Sequence, residues 1–225
     1  MHMKSILTFT LLIALFFTAC ESQKEKSVKA YEEGVTISKE ADAAMKNGDS
    51  KGAGDLYSKA NTAYNKSLEL DSTNMSARSA IASNHYKNKD YTAAIEWYAK
   101  ANTLEGEKAP NYREMGLIKI SMDELNEGKE YLEKSVALDH SEENRKEIIN
   151  GLLAVGDNKF KEGTNLKTQG NVDAAKKQQN YAMSVLMLAY YLDNTRKDVA
   201  GTIAKYADEV GDYTVKVQYT KLSQQ

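Results

Sequence analysis

The stretch Asp90-Tyr91-Thr92-Ala93-Ala94-Ile95-Glu96-Trp97-Tyr98-Ala99-Lys100-Ala101 decides the fold. Small residues at 94 and 101 flank an aromatic at 98, a spacing of four and then three. On a helix those three positions share one face. Upstream, Ile81 and His85 repeat the four-residue step, and Asn88-Lys89-Asp90 supplies a polar break. The reading is a helical hairpin whose small residues let its two helices approach closely.

Moving on 34 residues, the pattern returns. Ile81 and Ala82 become Met115 and Gly116, Tyr91 becomes Leu125, and Ala94 becomes Gly128. Tyr98 becomes Leu132, Ala101 becomes Ser135, and Leu104 becomes Leu138. These residues resemble the tetratricopeptide repeat in length and in the placing of small and aromatic positions. Gly211-Asp212-Tyr213 is similar to that family's inter-helix turn. Where the family often closes a repeat with proline, this chain has Ser72, Gly106, His140 and Asn194. Where it usually carries Trp near a repeat start, Arg78 or Tyr112 stands. The resemblance implies an all-α fold, an α-solenoid of tetratricopeptide-like hairpins.

Two segments are longer. Gly48-Asp49 and Gly170-Asn171 read as inter-helix turns, yet the closing pairs Leu70-Asp71 and Leu192-Asp193 lie a heptad beyond the usual place. Laying residue 21 on residue 143 aligns these segments without a gap, Gly34 on Gly156 and Gly48 on Gly170. The same offset of 122 sets Asp90-Tyr91-Thr92 on Asp212-Tyr213-Thr214. The chain reads as a block, 21–142, with a shorter second copy, 143–225. One repeat domain is expected over 20–225, with hairpins at about 21–74, 75–108, 109–142, 143–196 and 197–223. In such arrays each hairpin buries its apolar face only by stacking on a neighbour, so an outermost face is either polar or a docking surface.

Composition agrees. One proline in 225 residues favours long uninterrupted helices, and 28% charged against 41% hydrophobic residues is an ordinary globular balance. A formal net charge of −2 makes no electrostatic case for nucleic acid. The single cysteine permits neither an internal disulfide nor a zinc cluster.

That cysteine follows an export segment. Lys4 precedes a twelve-residue apolar run, Ile6 to Phe17, too short for a bilayer span of about 20 residues. Phe17-Thr18-Ala19-Cys20 resembles the bacterial lipobox. The resemblance implies cleavage of the signal peptide 1–19 and lipidation of Cys20, a tether in which each buried CH₂ contributes about 0.8 kcal/mol. Glu21 stands where Asp would mark inner-membrane retention, so the cell envelope's outer membrane is the favoured location. The alternative is a free cysteine beside an ordinary export signal.

Catalytic chemistry finds little support, and no metal or cofactor is expected. His85 occupies a packing position of the repeat, and the neighbours Asp139, His140 and Ser141 form a linker in which Ser141 caps a helix. Adjacency does not supply a triad. The segment 181–192 is the most apolar of the mature chain, and Met183 and Met187 share one of its faces. It reads as a buried helix.

The expected function is therefore a membrane-anchored scaffold that binds a protein or peptide partner. Tetratricopeptide arrays usually do so on the first helix of each hairpin. Position by position, the resemblance selects Ser79, Ser83, Tyr86 and Lys87, then Arg113, Leu117, Ile120 and Ser121. Lys87 and Arg113 are candidates to hold a carboxylate. Leu117 and Ile120 either face the groove or pack against the neighbouring hairpin. The alternative function is a small-ligand or glycan-capturing receptor, with the fourteen tyrosines and Trp97 as stacking platforms.

Overall fold

A computed structural model of the chain describes residues 22–224. The signal segment 1–19 and Cys20 lie outside the described residues. Ten α-helices make up the described chain: α1 (Gln23–Lys46), α2 (Ser50–Leu70), α3 (Met75–Lys87), α4 (Tyr91–Glu105), α5 (Ala109–Ser121), α6 (Leu125–Leu138), α7 (Glu142–Thr168), α8 (Val172–Leu192), α9 (Lys197–Val210) and α10 (Tyr213–Gln224). The fold is all-α, of the tetratricopeptide-like α-solenoid class, with two elongated hairpins. The residues divide into two compact units, and the break falls between Lys89 and Asp90. The division point lies inside the segment 75–108.

Helix starts follow local chemistry. Ser22 caps α1 in a reciprocal box with Glu25, the Glu25 amide donating to Ser22 Oγ at 3.2 Å and the Ser22 amide to Glu25 Oε2 at 2.8 Å. Asp49 accepts from the Gly52 amide at 2.8 Å, and Ser141 from the Asn144 amide at 3.2 Å. Helix stops are equally regular. Gly48, Lys89, Asp123, Gly170 and Gly211 all adopt a left-handed backbone, φ between 61° and 85°. That conformation bends the next amide back to a carbonyl five residues earlier, as in Asp49 to Ala44 (3.0 Å) and Asn171 to Leu166 (2.9 Å).

Hydrogen bonds hold the joins between hairpins where proline is missing. Asn74 Nδ2 donates to Ser67 Oγ at 2.8 Å, Asn111 Nδ2 to Asn102 Oδ1 at 2.8 Å, and Asn144 Nδ2 to Ser135 Oγ at 3.2 Å. Arg78 and Tyr112, at the usual tryptophan position, also reach back: Arg78 donates to the Ser72 carbonyl at 2.5 Å and Tyr112 to Glu107 at 2.7 Å.

The offset of 122 reappears in the helix bounds. Shifted by it, 50–70 becomes 172–192, and the starts of α3 and α4 become the starts of α9 and α10. The interiors of the copies differ. In unit 2 the core is large and aliphatic, with Ile148, Ile149, Leu152, Val185, Leu186 and Ile203 all at or below 1% exposure. In unit 1, α1 and α2 meet through small residues, Ala41 and Ala53 at 0%, with the Tyr64 ring seated over Gly34. The faces of α1 and α7 diverge likewise: Ile148 is buried where α1 has exposed Lys26, and Gly151 seats Leu117 where α1 has exposed Lys29.

Candidate partner-binding surface

The residues singled out from the sequence sit on α3 in unit 1 and on α5 in unit 2, and each group is described in its own unit. On α3, Ser79, Ser83 and Tyr86 are half-buried and Lys87 is exposed. Lys87 already has a carboxylate. Its Nζ lies 2.8 Å from Asp42 Oδ2, and Tyr57 donates to Asp42 Oδ1 at 2.7 Å. Burial pushes the Asp42 carboxyl up, but the bonds from Lys87 and Tyr57 outweigh it and hold the group below the usual carboxylate range. Burial, together with the bond to Asp42, pushes the Tyr57 phenol well up, so it stays a donor. Three helices are pinned at one point.

On α5, Leu117 and Ile120 follow the second of their two readings, packing against neighbouring helices. Leu117 is 7% exposed and Ile120 is 0%, and both belong to the unit 2 core. Leu117 fills the space over Gly151 on α7, and Ile120 lies against Gly128 on α6. Neither lines an open groove. The reason is packing density: α5 buries eight of its thirteen residues and so has little free face to offer. Ser121 is half-buried and donates to its own helix at the Leu117 carbonyl, 2.9 Å.

Arg113 is likewise engaged within the unit. Its guanidinium pairs with Glu147 on α7, donates to Asn144 Oδ1 at 3.2 Å and lies 3.3 Å from Glu114. Burial pushes the Glu114 carboxyl up, against the pull of Arg113. Arg113 therefore bridges α5 and α7 and completes the join made by Asn144 and Ser135. It is a structural clamp, not a free cation awaiting a partner.

The most exposed large apolar side chains of unit 2 lie elsewhere. Tyr191 on α8 is 76% exposed, and on α10 Tyr213 and Val217, one turn apart, are 70% and 69% exposed. No residue of α10 is buried, although Val215 and Tyr219 pack against the core and Tyr219 meets Tyr190 edge-on at 5.5 Å between centroids. Among the described residues no group of three His, Cys, Asp or Glu is placed to hold a metal, and no helix is long and apolar enough to cross a membrane.

No protein-family model matches the chain, and no curated protein does. Among solved structures it is similar to MamA, at 20% identity over 82% of this chain and 92% of that one, TM-score 0.41. It is also similar to YrrB, a tetratricopeptide protein with an unusual peptide-binding site, at 16% identity over 89% and 91%, TM-score 0.43. A third is PilF of Pseudomonas aeruginosa, at 17% identity over 88% of this chain and 77% of that one, TM-score 0.48. The hairpin reading stands on the helices and their packing; these likenesses assign no partner.

Proposed function

We propose that the chain is a protein- or peptide-binding scaffold of the bacterial cell envelope, tethered through a lipid on Cys20 and favouring the outer membrane. The lipobox-like Phe17-Thr18-Ala19-Cys20 supports the tether. In unit 2, hairpins joined by side-chain clamps support a presenting frame. The docking surface belongs to α10 rather than to the positions first selected on α5. The observation that carries it is the pair Tyr213 and Val217, over two-thirds exposed on a helix with no buried residue. Exposed tyrosine beside an aliphatic residue is the usual make-up of an interface core.

The test is crosslinking and capture from native membranes, comparing the wild type with Tyr213→Ser/Val217→Ser. A defined envelope protein lost from the variant, with helix content unchanged, supports the surface. The same proteins captured by both overturn it. For the tether, incorporation of a labelled fatty acid should vanish in Cys20→Ser, and a label that persists would overturn the lipid assignment.

A further inference from the structure

The two copies place different chemistry at equivalent points. In unit 1, Ser38 Oγ lies 3.1 Å from both Tyr64 Oη and Asn84 Oδ1, and Asn84 Nδ2 donates to Asn61 Oδ1 at 2.9 Å. This network ties α1, α2 and α3 together, and Ser38, Tyr64 and Asn84 are buried. Adding 122 to each number gives Phe160, Leu186, Tyr206 and Met183, all buried in unit 2. There the Ser38–Asn84 hydrogen bond is replaced by the Phe160 and Tyr206 rings, stacked 3.7 Å apart with 6° between their planes. Four side chains with polar groups in one copy correspond, by the offset, to four large, mostly apolar ones in the other.

The energetic consequence is asymmetric. A buried large apolar side chain contributes more than an internal hydrogen bond, which only replaces bonds to water. On opening, the unit 1 network regains water as a partner, whereas the unit 2 cluster exposes hydrocarbon. Of the twelve largest side chains that are almost fully buried, only Ile81 and Asn84 lie in unit 1. The α1–α2 interface itself rests on alanines, Gly34 and the rings of Tyr57 and Tyr64, whose hydroxyls are both engaged in hydrogen bonds within the unit.

We propose that α1–α3 form a separately opening unit, set at low stability by the Ser38–Tyr64–Asn84–Asn61 network. It unfolds locally while α7 and α8 stay closed, so the part of the chain nearest the proposed tether is its yielding element. Partial opening of this kind is how cooperative subunits of a fold behave when their burial differs.

Hydrogen exchange on the full chain, read by mass spectrometry, tests the idea. Amides in the middles of α1 and α2 are expected to exchange at least tenfold faster than their equivalents in α7 and α8. Transplanting the second copy's residues, Ser38→Phe/Asn61→Met/Tyr64→Leu/Asn84→Tyr, should slow exchange in α1 and α2 at least tenfold and leave α7 and α8 unchanged. If that variant does not fold, Phe160→Ser/Tyr206→Asn should speed exchange in α7 and α8 instead. Equal protection of the two hairpins in the wild type would overturn the proposal, as would variants that move neither.

Discussion

Gly116 on α5 and Gly128 on α6 lie back to back: a methyl group built on Gly116 would stand 2.8 Å from the Gly128 carbonyl oxygen, and one on Gly128 2.7 Å from that of Gly116. Both obstacles are backbone, which cannot rotate aside. Gly128→Ala gains about 1 kcal/mol of helix propensity but must push two helices apart, an overpacking cost of about 1–3 kcal/mol. The net expectation is a loss of up to about 2 kcal/mol in urea unfolding. An alanine variant as stable as the wild type would show that the two helices have room to spare.

The five left-handed turns make a controlled comparison. Gly48, Gly170 and Gly211 hold this conformation freely, while Lys89 and Asp123 hold it at a steric cost. Asp123 also pairs with Lys159 at 2.6 Å, so Lys89 is the cleaner site. Lys89→Gly should raise stability by about 0.5–1 kcal/mol, and Gly170→Ala should lower it by about 1 kcal/mol. Opposite signs in thermal melts of the two variants are the expected result.

Acid sensitivity should concentrate in the turns that close the hairpins. Asp71 accepts from the Thr73 hydroxyl and amide at 2.6 and 2.9 Å, and Asp193 from those of Thr195 at 2.6 and 3.0 Å. The hydroxyl bond first, and the amide bond second, hold both carboxyls below the usual range. A depressed carboxylate contributes stability that is complete above its unfolded pKa of about 3.9 and is lost as pH falls through the lower folded value. Between pH 6 and pH 3 the urea midpoint of Asp71→Asn/Asp193→Asn should therefore fall less than that of the wild type. Parallel falls would mean these turns do not report on pH.

Arg113 distinguishes clamp from binding site. Arg113→Ala leaves Glu147 without its cation and Glu114 as a buried carboxylate, and should cost about 2–3 kcal/mol, discounted for the partial exposure of Glu147. Glu147→Ala should cost less, and the double variant less than the sum, the signature of a direct pair. Strict additivity in unfolding would dissolve the clamp.

Much of this was legible in the residues. The small–aromatic–small spacing around Tyr98 marks the hairpins, and Gly34, Gly48, Leu70 and Asp71 with their counterparts 122 residues on mark the duplication. Helix phase on α5 stayed open. A helix with eight of thirteen residues buried has no clear polar face, so Leu117 and Ile120 carried no sign of which way they point. The carboxylate that Arg113 holds lies far along the chain. The useful signal was the repeat length itself: Glu147 is 34 residues beyond Arg113, as Gly151 is beyond Leu117, and such positions lie against each other on successive hairpins. The break at Lys89 left no mark in composition.

The contrast between Ile148 on α7 and Lys26 on α1 makes the block directional. Where α7 joins the preceding hairpin, a buried isoleucine and a glycine socket for Leu117 seal the seam; the matching side of α1 offers two ammonium groups instead. Seating another hairpin there would strip water from both, at a cost of several kcal/mol per charge. That side of α1 is therefore a poorer seat for a packed helix than the matching side of α7.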